Sequence, residues 1–190
     1  NIPTTLLAMV DASVGGKTGI NFNGLKNEIG SFFPASSVLI ETEFLRSLDR
    51  YNFLSGYAEM LKHGLISTPA HWSELLTFNT EHIDYSELKQ LVGRSVQVKE
   101  DIVQQDPFEH GIRKALNLGH TVGHAFESLA LAENRHVLHG YAVAWGVVCE
   151  LYLSNVKAGF PTDKMRQTIQ FIKENYGTFF IDCKTYDRLY

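Results

Sequence analysis

The stretch RKALNLGHTVGHAFE, which runs from Arg113 to Glu127, sets two histidines four residues apart, each preceded by a glycine. Apolar residues recur through it at helical spacing, and we predict one helix over Arg113–Ala132. On a period of 3.6 residues, one side of that helix is a polar stripe. The stripe consists of Arg113, Asn117, His120 and His124. A generic polar stripe faces water, but this one lacks the Glu–Lys pairs of a solvated face, so we expect it to line a site.

Two glycines and two histidines inside this predicted helix carry further information. Gly119 and Gly123 each cost roughly 1 kcal/mol relative to alanine, which indicates that another backbone approaches closely. Histidines at i and i+4 are a common zinc-binding pair on a helix. On spacing alone, His120 and His124 are therefore the default metal ligands.

Other segments place charged or polar side chains among apolar ones. GYAEMLKHGLI puts Glu59, Lys62 and His63 on adjacent positions of a predicted helix. They form either a surface ion pair or a buried set that needs a partner or a metal. Lys99 lies on the apolar stripe of another predicted helix, and either snorkels to the surface or points into a polar cavity. His139 begins a helix that is apolar on nearly all sides, which indicates burial.

Together these residues predict an open catalytic zinc site made by two histidines and Glu59. The candidate histidines are His120, His124, His136 and His139. Residue type and spacing do not choose between them. VGGKTG invites a phosphate-loop interpretation, but Asp11 stands where that motif needs glycine, so we reject a Walker A motif. Glycine-rich backbone beside Lys17 still suits an anion-binding nest.

The elements predicted along the chain change character near residue 48. Strands are predicted at Thr4–Val10 and Ser36–Thr42, with turns and loops in the glycine- and asparagine-rich segments between them. Helices are predicted at Tyr57–Ile66, Ser86–Gln105, Arg113–Ala132, His139–Val156 and Asp163–Asn175. The predicted fold class is mainly α, a helical domain preceded by a loop-rich α/β edge segment.

The composition limits the possible partners. The 190 residues are 44% hydrophobic and 20% charged, with a net charge of −4, which is typical of a globular protein and argues against nucleic-acid binding. An anionic substrate would therefore need a local cluster of Lys and Arg. Cys149 and Cys183 are too few for a disulfide framework and favour free thiols in a cytosolic protein. The longest apolar run, YAVAWGVV, is too short to span a bilayer, so we expect no membrane partner.

Five motifs occur in a fixed order along the chain. They are VDASVGGKTGIN, LKNEIG, GYAEMLKHGLI, RKALNLGHTVGHAFE and LHGYAVAWG. Together they resemble the 3-dehydroquinate synthase family over nearly the whole chain. The resemblance implies that residues 1–48 are the end of an NAD-binding α/β domain and residues 49–190 most of a helical metal- and substrate-binding domain. Both ends are then expected to be cut, and the 190 residues alone to be inactive.

The resemblance also implies roles for individual residues. Glu59, His120 and His139 are the implied ligands of Zn²⁺ or Co²⁺, while His124 is catalytic and faces the substrate. His136 lies in a loop slightly longer than the family pattern, and the LHG context favours His139 as the third ligand. Catalytic or substrate-binding roles are implied for Asp11, Lys17, Asn27, Lys62, Lys99, Arg113 and Asn117. Contacts to NAD are implied for Lys17, Lys26, Phe44, Leu45, Arg46 and Ser47.

The implied reaction converts 3-deoxy-D-arabino-heptulosonate 7-phosphate to 3-dehydroquinate and phosphate in the shikimate pathway. NAD transiently oxidises a hydroxyl, phosphate is eliminated, the ketone is reduced again, and the ring opens and closes as a carbocycle. The metal polarises the hydroxyl, just as zinc lowers the pKa of bound water to about 7. Lys99 and Arg113 suit the substrate carboxylate. Its phosphate suits Lys17, Asn27, Asn117 and His124.

The resemblance implies a cytoplasmic enzyme that is a homodimer at full length and binds a small anionic sugar phosphate. Two rivals are related enzymes: another sugar-phosphate cyclase, such as 2-deoxy-scyllo-inosose synthase, which needs no site for a substrate carboxylate, and a metal-dependent polyol dehydrogenase. A third rival is a non-catalytic helical metal-binding module. The retention of every expected site residue argues against that module.

Overall fold

The structure is a computed structural model that describes residues 1–22 and 25–181, with side chains described outside 21–28. Its described part is mainly helical, as the sequence predicts. The helices are α1 Arg50–Ile66, α2 Pro69–Thr77, α3 Tyr85–Gln105, α4 His120–Ala132, α5 His139–Ala158 and α6 Thr162–Tyr176. The sequence does not predict α2. Helix α1 begins at Arg50, ahead of the predicted Tyr57, and α4 begins at His120, after the predicted Arg113, while α3, α5 and α6 lie where periodicity indicates.

Helix α1 lies at the centre of the molecule, packed by α2, α3 and α5. Its residues 53–64 are all buried, so a side chain on any side of this helix faces protein. The apolar ones, such as Phe53 and Tyr57, form the middle of the hydrophobic core. Glu59, Lys62 and His63 are buried with them, which excludes a surface ion pair at this segment.

Side-chain caps fix where several helices begin. The carboxylate of Asp49 accepts a hydrogen bond from the backbone N–H of Asn52 at 2.9 Å and starts α1. Thr68 caps α2 ahead of Pro69, whose missing N–H costs nothing at a first helical position. Asp84 caps α3 through the N–H of Ser86 at 2.8 Å.

The predicted strand Thr4–Val10 is wrong, because this segment is helical and ends in a π-helix at Ala8–Ala12. Leu6, Met9 and Val10 are completely buried, and their spacing of three and four residues is that of a helix rather than a strand. This short helical segment packs against α1 and α3, which places Asp11 beside Lys99 of α3.

The remainder of the first 48 residues also differs from prediction. Ser36–Thr42 is not a strand: it is irregular, and a 3-10 helix follows at Thr42–Ser47. The segments predicted as turns instead form an antiparallel hairpin of β1 Lys17–Phe22 and β2 Leu25–Phe32. Gly30 allows the close pairing, since a Cβ there would lie 2.0 Å from the carbonyl oxygen of Thr18. Glycine in the sequence indicates turns, but at Gly30 it allows close cross-strand contact.

The single helix predicted over Arg113–Ala132 is broken in two. A 3-10 helix covers Ile112–Asn117, and α4 starts at His120. Gly119 lies between them with φ of +80°, a left-handed conformation that ends one helix and turns the chain into the next. The four polar residues of the predicted stripe therefore do not share one continuous helix.

Candidate functional site

Three donor atoms converge where α1 meets the first turns of α4 and α5. Oε2 of Glu59 forms a buried ion pair with Lys62. Oε1 of Glu59 is buried and has no hydrogen-bond partner among the described residues. Nε2 of His120 lies 3.6 Å from this oxygen, and Nε2 of His139 lies 3.5 Å from it. A completely buried carboxylate oxygen without a hydrogen bond is costly, and a cation held by all three atoms would remove that cost.

The spacing of these donors fits a small divalent metal. Zinc binds nitrogen and oxygen at about 2.0–2.2 Å in tetrahedral sites, which puts neighbouring ligand atoms roughly 3.4 Å apart. The two measured separations from Glu59 Oε1 are close to that value. Two histidines and one carboxylate leave a fourth position open, as catalytic zinc sites do.

Protonation at the cluster also suits metal binding. Burial lowers the pKa of His120 to about 4, so its imidazole is neutral at pH 7. Burial alone would raise the pKa of Glu59, but the positive charge of Lys62 holds it well below the usual range. A metal needs neutral imidazole and ionised carboxylate, and both are present.

The far nitrogens of the two imidazoles also have acceptors. Nδ1 of His120 lies 3.3 Å from the carbonyl oxygen of Leu118, and Nδ1 of His139 lies 3.1 Å from Oε1 of Glu127. Both oxygens can only accept, so in a neutral ring Nδ1–H donates to the oxygen and Nε2 carries the lone pair that faces Glu59. Sequence reasoning missed Glu127, although it stands seven residues after His120 and hence on the same face of α4.

His124 lies one turn beyond His120 in different surroundings. Its side chain is half exposed, and its Nε2 is 3.8 Å from Oε2 of Glu127. With Glu127 and His139 it makes a second group of potential ligand atoms, which is more exposed than the first. The buried, unbonded oxygen of Glu59 favours the group of Glu59, His120 and His139.

A second ion pair lies close to the first. Nζ of Lys99 is 2.5 Å from Oδ1 of Asp11, and it also donates to the carbonyl oxygen of Asp11. Lys99 is buried, so its side chain does not snorkel to the surface but points into the protein. Burial would raise the pKa of Asp11, but the charges of Lys99 and Lys62 lower it overall. The carboxylate is therefore ionised at neutral pH.

Arg113 is buried and held by backbone carbonyls. Its Nη1 donates to Pro107 at 2.6 Å and its Nη2 to Gly15 at 3.2 Å. A Cβ on Gly15 would lie 2.7 Å from Nη2, so glycine is needed for this approach. The guanidinium is thereby fixed between the 3-10 helix and the segment before β1.

Asn117 and Lys17 meet at a residue that sequence reasoning missed. Nδ2 of Asn117 donates to Oε1 of Glu109 at 2.7 Å, and Lys17 pairs with Oε2 of the same carboxylate. Glu109 has φ of +62°, which is uncommon for a residue with a side chain. No motif in the sequence marks Glu109, because its contacts come from segments 92 and 8 residues away.

The residues matched to NAD contacts are only partly described. Leu45 is buried, and Phe44, Arg46 and Ser47 are exposed in the 3-10 helix that packs against α3. The guanidinium of Arg46 lies 4.3 Å from the ring centroid of Tyr85. The side chains of Lys26 and Asn27 lie outside the described part of the structure. A cavity of about 680 Å³ is lined in part by Gly15, Gly16 and Arg113, and none of residues 44–47 lines it.

Family models match the chain from end to end. Residues 1–55 match the N-terminal model of 3-dehydroquinate synthase, and residues 56–190 match its C-terminal model. The chain belongs to the 3-dehydroquinate synthase family. A 3-dehydroquinate synthase from Parabacteroides distasonis is 60% identical over all 190 residues, which make up 54% of that protein. A Streptococcus pyogenes member is 43% identical over 169 residues, or 89% of this chain and 46% of that one. The chain thus spans about half the length of these curated 3-dehydroquinate synthases.

A solved structure shares the fold of this 3-dehydroquinate synthase family member. It is a 2-deoxy-scyllo-inosose synthase complexed with carbaglucose-6-phosphate, NAD⁺ and Co²⁺, 24% identical with a TM-score of 0.81 over 99% of this chain and 52% of that one. The likeness confirms the predicted fold class. None of the described helices is both long enough and apolar enough to cross a bilayer.

Proposed function

We propose that this chain is the metal- and substrate-binding part of a 3-dehydroquinate synthase that requires NAD and Zn²⁺ or Co²⁺. It would act with an NAD-binding domain, of which residues 1–48 are the end, while residues 49–190 form the helical domain. The observation that carries the proposal is the convergence of two imidazole nitrogens on the buried, unbonded oxygen of Glu59. The reaction turns 3-deoxy-D-arabino-heptulosonate 7-phosphate into 3-dehydroquinate and phosphate.

Glu59, His120 and His139 would hold the metal, which when bound polarises the substrate hydroxyl to be oxidised. Lys62 occupies Oε2 of Glu59 and so directs Oε1 toward the two histidines. It also keeps the carboxylate ionised where burial alone would protonate it. Substitution of Lys62 would thus disturb the metal site without touching the metal.

Several charged residues near this cluster suit an anionic substrate. Lys99 and Arg113 are proposed to bind its carboxylate, and the two backbone hydrogen bonds of Arg113 fix the plane of its guanidinium. The local positive charge offsets the net charge of −4. The proposed catalytic residues are Asp11, Lys17, Lys62, Lys99, Arg113, Asn117 and His124. Residues proposed to hold substrate are Lys17, Asn27, Lys99, Arg113, Asn117 and His124.

NAD, which accepts and returns the hydride, is proposed to contact Lys17, Lys26 and residues 44–47. The curated relatives are about twice as long as this chain, so most of the NAD site would lie outside it. We therefore expect the 190 residues alone to show no turnover. The complete protein is proposed to be a cytoplasmic homodimer.

The test is phosphate release by a protein extended to the length of its curated relatives. Glu59→Gln, His120→Ala and His139→Ala should each remove bound metal and reduce turnover to background, since each deletes one ligand. Metal content is measured by elemental analysis after gel filtration. Turnover of the acid phosphate by a metal-free variant would contradict the proposal, as would turnover by the 190 residues alone.

A second candidate is another sugar-phosphate cyclase, favoured by the fold shared with 2-deoxy-scyllo-inosose synthase. Its substrate would lack a carboxylate. A panel of sugar phosphates with and without a carboxylate separates the two candidates, because only the dehydroquinate reaction needs Lys99 and Arg113 as carboxylate partners. Phosphate release only from the sugar phosphates without a carboxylate would favour the second candidate.

A further inference from the structure

Glu127 lies behind the metal-facing side of His139. Its Oε1 accepts a hydrogen bond from Nδ1 of His139 at 3.1 Å, while Nε2 of the same ring is 3.5 Å from Oε1 of Glu59. The imidazole is thus held between two carboxylates that play different parts. Glu127 accepts a hydrogen bond from the ring N–H, and Glu59 would hold the proposed metal together with the ring lone pair.

This contact fixes which nitrogen of His139 carries the proton. A neutral imidazole donates from one nitrogen and accepts at the other, so an acceptor at Nδ1 forces the lone pair onto Nε2. In metal sites such an outer carboxylate orients the ring and raises its basicity. His120 obtains the same tautomer from the carbonyl oxygen of Leu118 at 3.3 Å, a contact that no side-chain substitution removes.

The position of Glu127 in the fold explains why only His139 needs a side chain for this purpose. His120 begins α4, and the carbonyl of Leu118 is supplied by the chain reversal at Gly119. His139 begins α5 and is the first helical residue after Leu138, which makes no side-chain cap. Glu127 reaches it from the middle of the neighbouring helix α4, so the contact also ties the two helices together at the site.

We propose that Glu127 is a positioning residue that holds His139 in the Nδ1-protonated tautomer and directs its Nε2 to the metal. The inference rests on the proposed function, because it requires Glu59, His120 and His139 to be the ligands. It adds a fourth side chain to the site, one that contacts neither metal nor substrate. Glu127 also lies 3.8 Å, through Oε2, from Nε2 of His124, so the same carboxylate faces the proposed substrate-binding histidine.

The experiment measures metal affinity in a protein extended to the length of its relatives. Glu127→Ala should raise the Kd for Zn²⁺ about 10–100-fold, measured by competition with a chelator, because the ring loses its fixed tautomer. Glu127→Gln keeps an acceptor of the same length without the charge, and an intermediate Kd is expected. Ser128→Ala, an exposed neighbour on α4, should bind Zn²⁺ as the unsubstituted protein does.

A spectroscopic readout separates positioning from general loss of structure. With Co²⁺ in place of Zn²⁺, Glu127→Ala should change the visible absorption bands, and Glu127→Gln should restore most of the original spectrum. Circular dichroism checks that each variant is folded, and the Gln variant keeps the test open should the Ala variant unfold.

Different outcomes contradict the role of Glu127 and the proposed function. Unchanged Kd and Co²⁺ spectrum in a folded Glu127→Ala variant would overturn the inference and leave the proposed function standing, as would an unchanged Kd in Glu127→Gln. Two Zn²⁺ per chain that fall to one on substitution would also overturn it, because Glu127 would then be a ligand together with His124 and His139. Retention of metal by His120→Ala and Glu59→Gln would instead remove the proposed function.

Discussion

His120 and His124 lie one helical turn apart, with ring centroids separated by 5.4 Å, yet they have different surroundings. His120 is mostly buried and faces the carboxylate of Glu59, whereas the side chain of His124 is 49% exposed. The first can share a buried metal, and the second can reach a ligand from solvent. We therefore propose different roles for two residues that have the same spacing as a zinc-binding pair.

This assignment predicts opposite metal contents for two substitutions. His120→Ala should lose the metal, because it deletes one of three ligands. His124→Ala should keep one metal ion per chain and lose rate, because only a substrate contact is removed. Elemental analysis and phosphate release check both, on the same preparations of a protein extended to the length of its relatives. A metal-free His124→Ala protein would mean that the pair chelates together and that the assignment is wrong.

At the residue scale, the sequence predicts which types of side chain form the site. It does not predict which of these side chains face one another in the folded chain. Glu59 and Lys62 stand out because charged groups among apolar neighbours need partners, and their burial in the structure selects the second of the two alternatives that the sequence left open. Residue type and spacing left four histidines open, because the choice depends on which of them face α1 after packing. Glu109 and Glu127 could not be identified from the sequence, because their partners come from other segments of the chain or from the neighbouring helix α5.

Gly119 is the element-scale feature that positions the site. It has φ of +80°, and a Cβ there would lie 2.7 Å from the carbonyl oxygen of Val143 on α5. Gly123 is similar, with a Cβ position 2.9 Å from the carbonyl oxygen of Ala142. The expectation that these glycines admit a neighbouring backbone is confirmed. They allow α4 and α5 to pack so closely that His120 and His139 meet at one end.

Gly119→Ala should lower the free energy of unfolding by about 2–4 kcal/mol, from the left-handed backbone and the clash with Val143. Gly93→Ala is a matched control, because Gly93 is exposed in α3 and a Cβ there would meet nothing within 4 Å. It should instead raise the free energy by about 0.5–1 kcal/mol. Denaturant unfolding curves of both variants measure the difference. Equal effects of the two substitutions would contradict the structural role of Gly119.

Elements were predictable where one period dominated a long segment. The helices α3, α5 and α6 lie where their apolar spacing indicates, within a few residues at each end. In the first 48 residues the predicted strand at Thr4–Val10 is wrong. Leu6, Met9 and Val10 form too short a run to reveal a helical period within a segment of β-rich composition. Burial against the rest of the protein stabilises that segment as a helix, and cross-strand pairing stabilises the hairpin that follows it.

At the scale of the whole molecule, the proposed metal would join three helices that are far apart in sequence. Glu59 comes from the middle of α1, and His120 and His139 come from the first residues of α4 and α5. Helix termini fray most readily, since their first N–H groups lack partners within the helix. A metal held by all three should therefore protect the first turns of α4 and α5.

Metal removal should expose this link in hydrogen–deuterium exchange. With Zn²⁺ at about 100 times its Kd, a state that binds the metal gains about 2.7 kcal/mol over an open state that does not. Backbone amides in the first turns of α4 and α5 should therefore exchange up to about 100-fold faster after chelation, in a protein extended to the length of its relatives. His120→Asn should exchange at the fast rate with or without Zn²⁺, while His124→Ala should keep the full difference. Exchange rates that do not change after chelation in the unsubstituted protein would mean that no metal joins these helices.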